Sequence, residues 1–132
     1  STPKPSSAAS DVYKRQRYSA RESALLWLRT YQYLKTNTPT AQNLASLYEQ
    51  TNVSFIRSGV SDDGEVEAVL NKAGWCSGSE RFTGLCDAGL IKCTDGTTYL
   101  MSTMTNSPDG GLYTVRLANL ASTLFECRDV LE

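Results

Sequence analysis

The sequence predicts an α+β domain over residues 17–132, with N-terminal helices, a three-stranded antiparallel meander and a C-terminal helix. Three observations lead there. Apolar residues recur at helical spacing through the first half of the chain. From Trp75 the composition shifts to Gly, Ser, Thr and Cys, and the apolar period falls to two. Asp95-Gly96, flanked by Leu90-Ile91-Lys92-Cys93 and Thr97-Thr98-Tyr99-Leu100, is a two-residue hairpin signal.

Taken in order, Ser19-Ala20-Arg21-Glu22 has the form of a capping box, and Leu25, Leu28, Trp27, Tyr31 and Leu34 follow at helical spacing. A helix is expected from about Ala20 to Lys35. Thr38 then serves as N-cap and Pro39 as first residue of a second helix, striped by Ala41, Leu44, Ala45 and Tyr48. Val53-Ser54-Phe55-Ile56 favours strand but is brief. A third helix is expected from Asp62, with Glu65 three residues on, a face of Val66, Val69, Leu70 and Ala73, and a stop at Gly74. The meander then comprises Leu90–Cys93, Thr97–Met104 and the alternating Tyr113, Val115, Leu117. A final helix starts at Asn119 and is lined by Leu120, Leu124, Cys127 and Leu131. These helices are expected to cover one face of the sheet.

The first sixteen residues fall outside that argument. Ser6 to Gln16 translates, codon by codon, the transposase adaptor used to prepare shotgun sequencing libraries. Residues 1–16 are therefore expected to be a non-native, disordered tail, and the natural domain to be truncated before Arg17. Without the tail, ten basic and thirteen acidic side chains remain, a net charge of −3. Nothing in that balance points to nucleic acid. A membrane partner is expected only through a segment missing before Arg17.

The chain contains no histidine, which removes the usual imidazole base and the commonest zinc ligand. No P-loop, dinucleotide-binding or nucleophile-elbow pattern occurs. The acidic run Asp62-Asp63-Gly64-Glu65-Val66-Glu67 fails EF-hand spacing and is read as charge at a helix N-terminus. Trp27, Tyr31 and Tyr33 are read as core. Asn52-Val53-Ser54 is a glycosylation triplet. No catalytic residue, metal or cofactor is expected.

Four cysteines, Cys76, Cys86, Cys93 and Cys127, form no C-x-x-C pair and allow three connectivities. The even count in the loop-rich half suggests two disulfides and an oxidising compartment. Cys76–Cys86 would close the intervening loop, and Cys93–Cys127 would fasten the last helix to the hairpin. The alternative is four reduced thiols in a small cytosolic enzyme or regulator.

Tyr113-Thr114-Val115-Arg116-Leu117-Ala118-Asn119-Leu120, followed by Cys127 and Leu131, resembles the late strand and cysteine segment of type IV pilins and pseudopilins, more the type IVb branch. The resemblance implies that Cys127 is the distal disulfide cysteine, with Cys93 or Cys86 as partner. It implies a bacterial, extracellular or periplasmic cell-surface subunit of an adhesive or secretion filament, bound to neighbouring proteins and without catalysis. A secreted, disulfide-stabilised binding or inhibitor module is the second expectation.

Overall fold

A computed structural model describes residues 18–76 and 83–131. Helix α1 (Ala20–Leu34) begins as expected: the Ser19 hydroxyl accepts from the Glu22 N–H at 3.2 Å, and the Ser19 N–H donates to the Glu22 carboxylate at 2.7 Å. Helix α2 (Pro39–Glu49) starts on the Thr38 cap, whose hydroxyl accepts from the Ala41 N–H at 3.2 Å. Among the described residues no helix is long and apolar enough to cross a membrane.

The middle of the chain departs from expectation. Phe55–Val60, part of it read as strand, is the short helix α3, capped by Ser54. Val66–Cys76, read as helix, is strand β1. The Asp63 carboxylate accepts from the Glu65 N–H at 2.9 Å, and this turn feeds directly into the strand. Val69, Leu70 and Asn71 are buried in succession because both sides of β1 are covered. A strand buried on both sides loses its period of two, and its apolar run cannot be told from a helix by spacing.

Strands β2 (Gly84–Cys93) and β3 (Thr98–Thr105) complete an antiparallel sheet of order β1-β2-β3. The Asp95-Gly96 turn joins β2 to β3 as expected. Gly96 takes φ 89°, and the Cys93 N–H donates to the Thr97 carbonyl at 2.8 Å. The third strand is thus β1. Tyr113–Leu117 lies in helix α4 (Gly111–Glu126), which starts eight residues before the expected Asn119. Its buried stripe is Leu117, Ala121 and Phe125, and this four-residue repeat overrides the short alternation. A 3₁₀ turn, Arg128–Leu131, follows.

Helices cover both faces of the sheet rather than one. On one face Val69, Ile91 and Met101 pack against Ile56 and Val60 of α3 and Ala121 and Phe125 of α4. On the other, Leu70, Ala88, Leu90 and Leu100 meet Trp27, Tyr31 and Leu34 of α1 and Ala45 and Tyr48 of α2. Two glycines permit the closest approaches. A Cβ at Gly89 would lie 2.1 Å from the Leu70 carbonyl oxygen, and one at Gly59 would lie 2.2 Å from the Ala118 carbonyl oxygen where α3 crosses α4.

The four cysteines are free thiols, which corrects the two expected disulfides. Cys76 faces Gly84 and Cys86 faces Gly74, so the two are diagonal neighbours rather than a directly opposed pair. Diagonal residues lie about 7–8 Å apart, beyond the usual span of a disulfide. Cys93 is buried in the core beside α4, whereas Cys127 caps α4 and is exposed.

Candidate active site

At the heart of the molecule lies a buried polar cluster that fixes β1, β2 and α3 together. Asp87 is 1 % exposed. Its Oδ2 accepts from the Phe55 and Ile56 N–H groups at 2.8 and 3.0 Å, and its Oδ1 from Asn71 Nδ2 at 2.8 Å. The Ser54 hydroxyl and carbonyl take the next two donors of α3, from Arg57 and Ser58, so every N–H of that helix's first turn is satisfied. Burial pushes the Asp87 carboxyl above its ordinary range, against the opposing effect of the Ile56, Asn71, Phe55 and Ala88 hydrogen bonds.

Asn71 is fully used. Its amide also donates to the Val53 carbonyl at 3.0 Å, while its oxygen accepts from Thr51 and from Arg57. The Arg57 guanidinium in turn donates to the carbonyls of Thr51, Glu49 and Val69 at 2.8, 2.8 and 2.9 Å. Charge, helix end and strand are locked in one network.

That network also orients the outer edge of β1. Arg57 reaches the Val69 carbonyl from outside the sheet, so this group points away from β2. Backbone directions alternate along an antiparallel strand, so Asn71, Ala73 and Trp75 present their N–H and C=O groups to the same edge. Lys72 is exposed, and its amine donates to the Ala73 carbonyl there. Gly74 leaves room for the Cys86 thiol, which donates to the Gly74 carbonyl at 3.3 Å and whose pKa burial raises. Behind this stretch a cleft of about 430 Å³ opens between α1 and the sheet, with Lys72, Gly74 and Cys86 on one wall and Leu26, Trp27 and Tyr48 on the other.

The profile of the beta-lactamase enzyme family matches residues 4–126. The chain belongs to the beta-lactamase enzyme family. No curated protein matches it.

Membership in an enzyme family overturns the pilin resemblance and, with it, the expectation of a non-catalytic filament or adhesive subunit. The segment that carried that resemblance, Tyr113–Leu120, is the first half of α4 rather than a late strand. The secreted, disulfide-stabilised module is set aside as well, since Cys76, Cys86, Cys93 and Cys127 are unbridged. The compartment argument loses the sulfur bridges on which it rested.

The residues singled out in the sequence are mostly structural. Asp62, Asp63, Glu65 and Glu67 stand in the turn and strand start rather than a helical turn, and Glu65 pairs with Arg128. Among the described residues no group of three or more Cys, Asp or Glu is placed to hold a metal. Trp27 is core, as expected, tilted against Tyr48 with ring centroids 4.8 Å apart, whereas Tyr33 is exposed. Ser54 of the glycosylation triplet is a buried helix cap. Sequence reasoning missed Lys72-Ala73-Gly74, having placed it at the end of a helix. A lysine two residues before a glycine, at the edge of a sheet, is the signal that could have found it.

Proposed function

We propose that this beta-lactamase-family chain binds β-lactam amides for hydrolysis, and that Lys72-Ala73-Gly74 on the edge of β1 is its recognition strand. The observation that carries the reading is the exposed Lys72 amine beside the outward-facing backbone of Ala73 and Trp75. An extended amide can align with such an edge as an added strand does, while the ammonium receives an anionic group. Serine β-lactamases and penicillin-binding proteins carry a K-T-G run. Lys72-Ala73-Gly74 keeps its lysine and glycine, with alanine at the middle position.

Hydrolysis adds water across the lactam C–N bond, giving a carboxylate and an amine. Among the described residues no serine stands three places before a lysine, the S-x-x-K arrangement of those enzymes, so no described residue is assigned as nucleophile. Lys72 and the β1 edge hold and orient the substrate. Calorimetric titration with benzylpenicillin tests this: Lys72→Ala should weaken binding by about tenfold or more, and Lys72→Arg should retain most of it. Equal affinity of Lys72→Ala and the unaltered protein, or no binding by either, refutes the reading.

A further inference from the structure

We infer that two copies of this chain associate through the outward face of α1, the two helices lying antiparallel about a two-fold axis with Glu22 of each opposite Arg29 of the other. This face is separate from Lys72 and the β1 edge, so the inference does not depend on the function proposed above.

The outward face follows from the helix period. Ser23, Trp27, Tyr31 and Leu34 recur every three to four residues and turn toward the body of the protein. Glu22, Leu25, Leu26 and Arg29 recur on the other side, and all four are exposed. A helix packed on one side ordinarily turns polar residues to water. Here Leu25 and Leu26 are 53 % and 58 % exposed, and Leu28 and Tyr33 extend the apolar surface at 42 % and 41 %. A single exposed leucine needs no explanation, but a run of them rimmed by charge marks a docking surface.

Charge placement selects a second copy as the occupant. Antiparallel pairing about the point midway between Leu25 and Leu26 sets each Leu25 against the Leu26 of the other copy. Glu22 and Arg29 stand at equal distances before and after that point, so the same rotation sets each Glu22 against an Arg29. It also brings Tyr33 of one copy toward Tyr18 of the other, which is exposed just before the helix. A stripe that is its own complement under a two-fold rotation is what an isologous interface requires. Within one chain these two charges lie about 10 Å apart along the axis. Among the described residues the one ion pair is Arg128–Glu65, so neither Glu22 nor Arg29 is spent internally. Hydrogen bonds from the Ser19 N–H and hydroxyl hold the Glu22 carboxyl below its ordinary range and keep it ionised. The stripe runs nearly along the axis, which suits a shallow crossing of about 20°. A helix of 15 residues is about 22 Å long, so one such contact falls short of the roughly 1,600 Å² of a standard interface and gives a weak, reversible dimer.

Sedimentation velocity of the full chain, from about 1 to about 300 μM, should show a monomer–dimer equilibrium with a dissociation constant on the order of 10–100 μM. Arg29→Glu sets carboxylates against each other and should weaken the dimer about tenfold or more. Leu25→Lys keeps both charges and should do the same by forcing an ammonium into the contact. Glu22→Arg should fail to pair with itself, yet an equimolar mixture of Glu22→Arg and Arg29→Glu chains should regain the dimer, because opposite charges then face each other at both ends. Circular dichroism and Tm verify that each variant is folded. Glu22→Gln, which keeps the side-chain cap of α1, should weaken the dimer severalfold with the helix intact. A monomer over the whole range assigns this face to a different partner and overturns the inference. A dimer that survives both Arg29→Glu and Leu25→Lys is held by another surface and overturns it equally. A mixture that stays monomeric although both variants fold refutes the antiparallel pairing.

Discussion

Replacing Asp87 by alanine removes the acceptor on which three short buried hydrogen bonds converge, with the Ser54 hydroxyl a fourth donor at 3.5 Å. The Phe55 and Ile56 N–H groups and Asn71 Nδ2, now 2.8 to 3.0 Å from the carboxylate, would face a methyl group. Each orphaned buried donor costs about 1–3 kcal/mol, partly recovered if water enters, so about 3–5 kcal/mol in total is expected. That is a large part of the stability of a domain this size. Asp87→Asn keeps the volume and one acceptor, so its cost should be about 1–3 kcal/mol. The assay is urea unfolding followed by far-UV circular dichroism, with the m-value checked for two-state behaviour. An Asp87→Ala cost below about 1 kcal/mol would refute the idea that this carboxylate anchors α3 to the sheet. A second arm uses pH. Burial raises the folded-state pKa of Asp87 above its ordinary 3.8, so the folded protein retains a proton that the unfolded chain has released. The proton-linked part of stability is fully present below the unfolded value and is lost as pH rises through the raised folded value. The stability difference between the unaltered protein and Asp87→Asn should therefore shrink as pH climbs from about 4 through that raised value. A difference independent of pH in this interval would contradict the burial argument.

Gly59→Ala would set a methyl group 2.2 Å from the Ala118 carbonyl oxygen and 3.0 Å from the Ser122 nitrogen. Forcing α3 and α4 apart should cost about 1–3 kcal/mol and lower Tm by several degrees, as calorimetry would show, whereas an unchanged Tm would mean that the crossing is loose. Alkylation of the native protein should modify the exposed Cys76 and Cys127 first, Cys86 more slowly and the buried Cys93 last, since burial raises the thiol pKa of the latter two. All four should react after unfolding without reductant, as intact mass will report. Two sulfurs that refuse the reagent under those conditions would revive the disulfide reading.

What the sequence disclosed was local. The Ser19–Glu22 box, the Thr38-Pro39 start and the Asp95-Gly96 turn depend on neighbours within a few positions, and each stands where spacing put it. The α+β class was legible for the same reason. Strand β1 was not, because Val69, Leu70 and Asn71 are buried from both sides and so carry no alternation. Nor was the start of α4, where Tyr113, Val115 and Leu117 imitate a strand until Ala121 and Phe125 reveal a helical stripe. The site was hidden more deeply. Asp87 meets Phe55 across 32 positions and Asn71 across 16, and only the folded sheet brings them together. The lysine and glycine of Lys72-Ala73-Gly74 are too short a pattern to stand out without the strand edge that presents them.

Strand β3 closes the sheet on the side opposite Lys72, and its sequence Thr98–Thr105 contains neither a charged residue nor a proline. Those are the guards that ordinarily keep an outer strand from accepting a neighbour. In concentrated solution this flank is where molecules will begin to stick to one another.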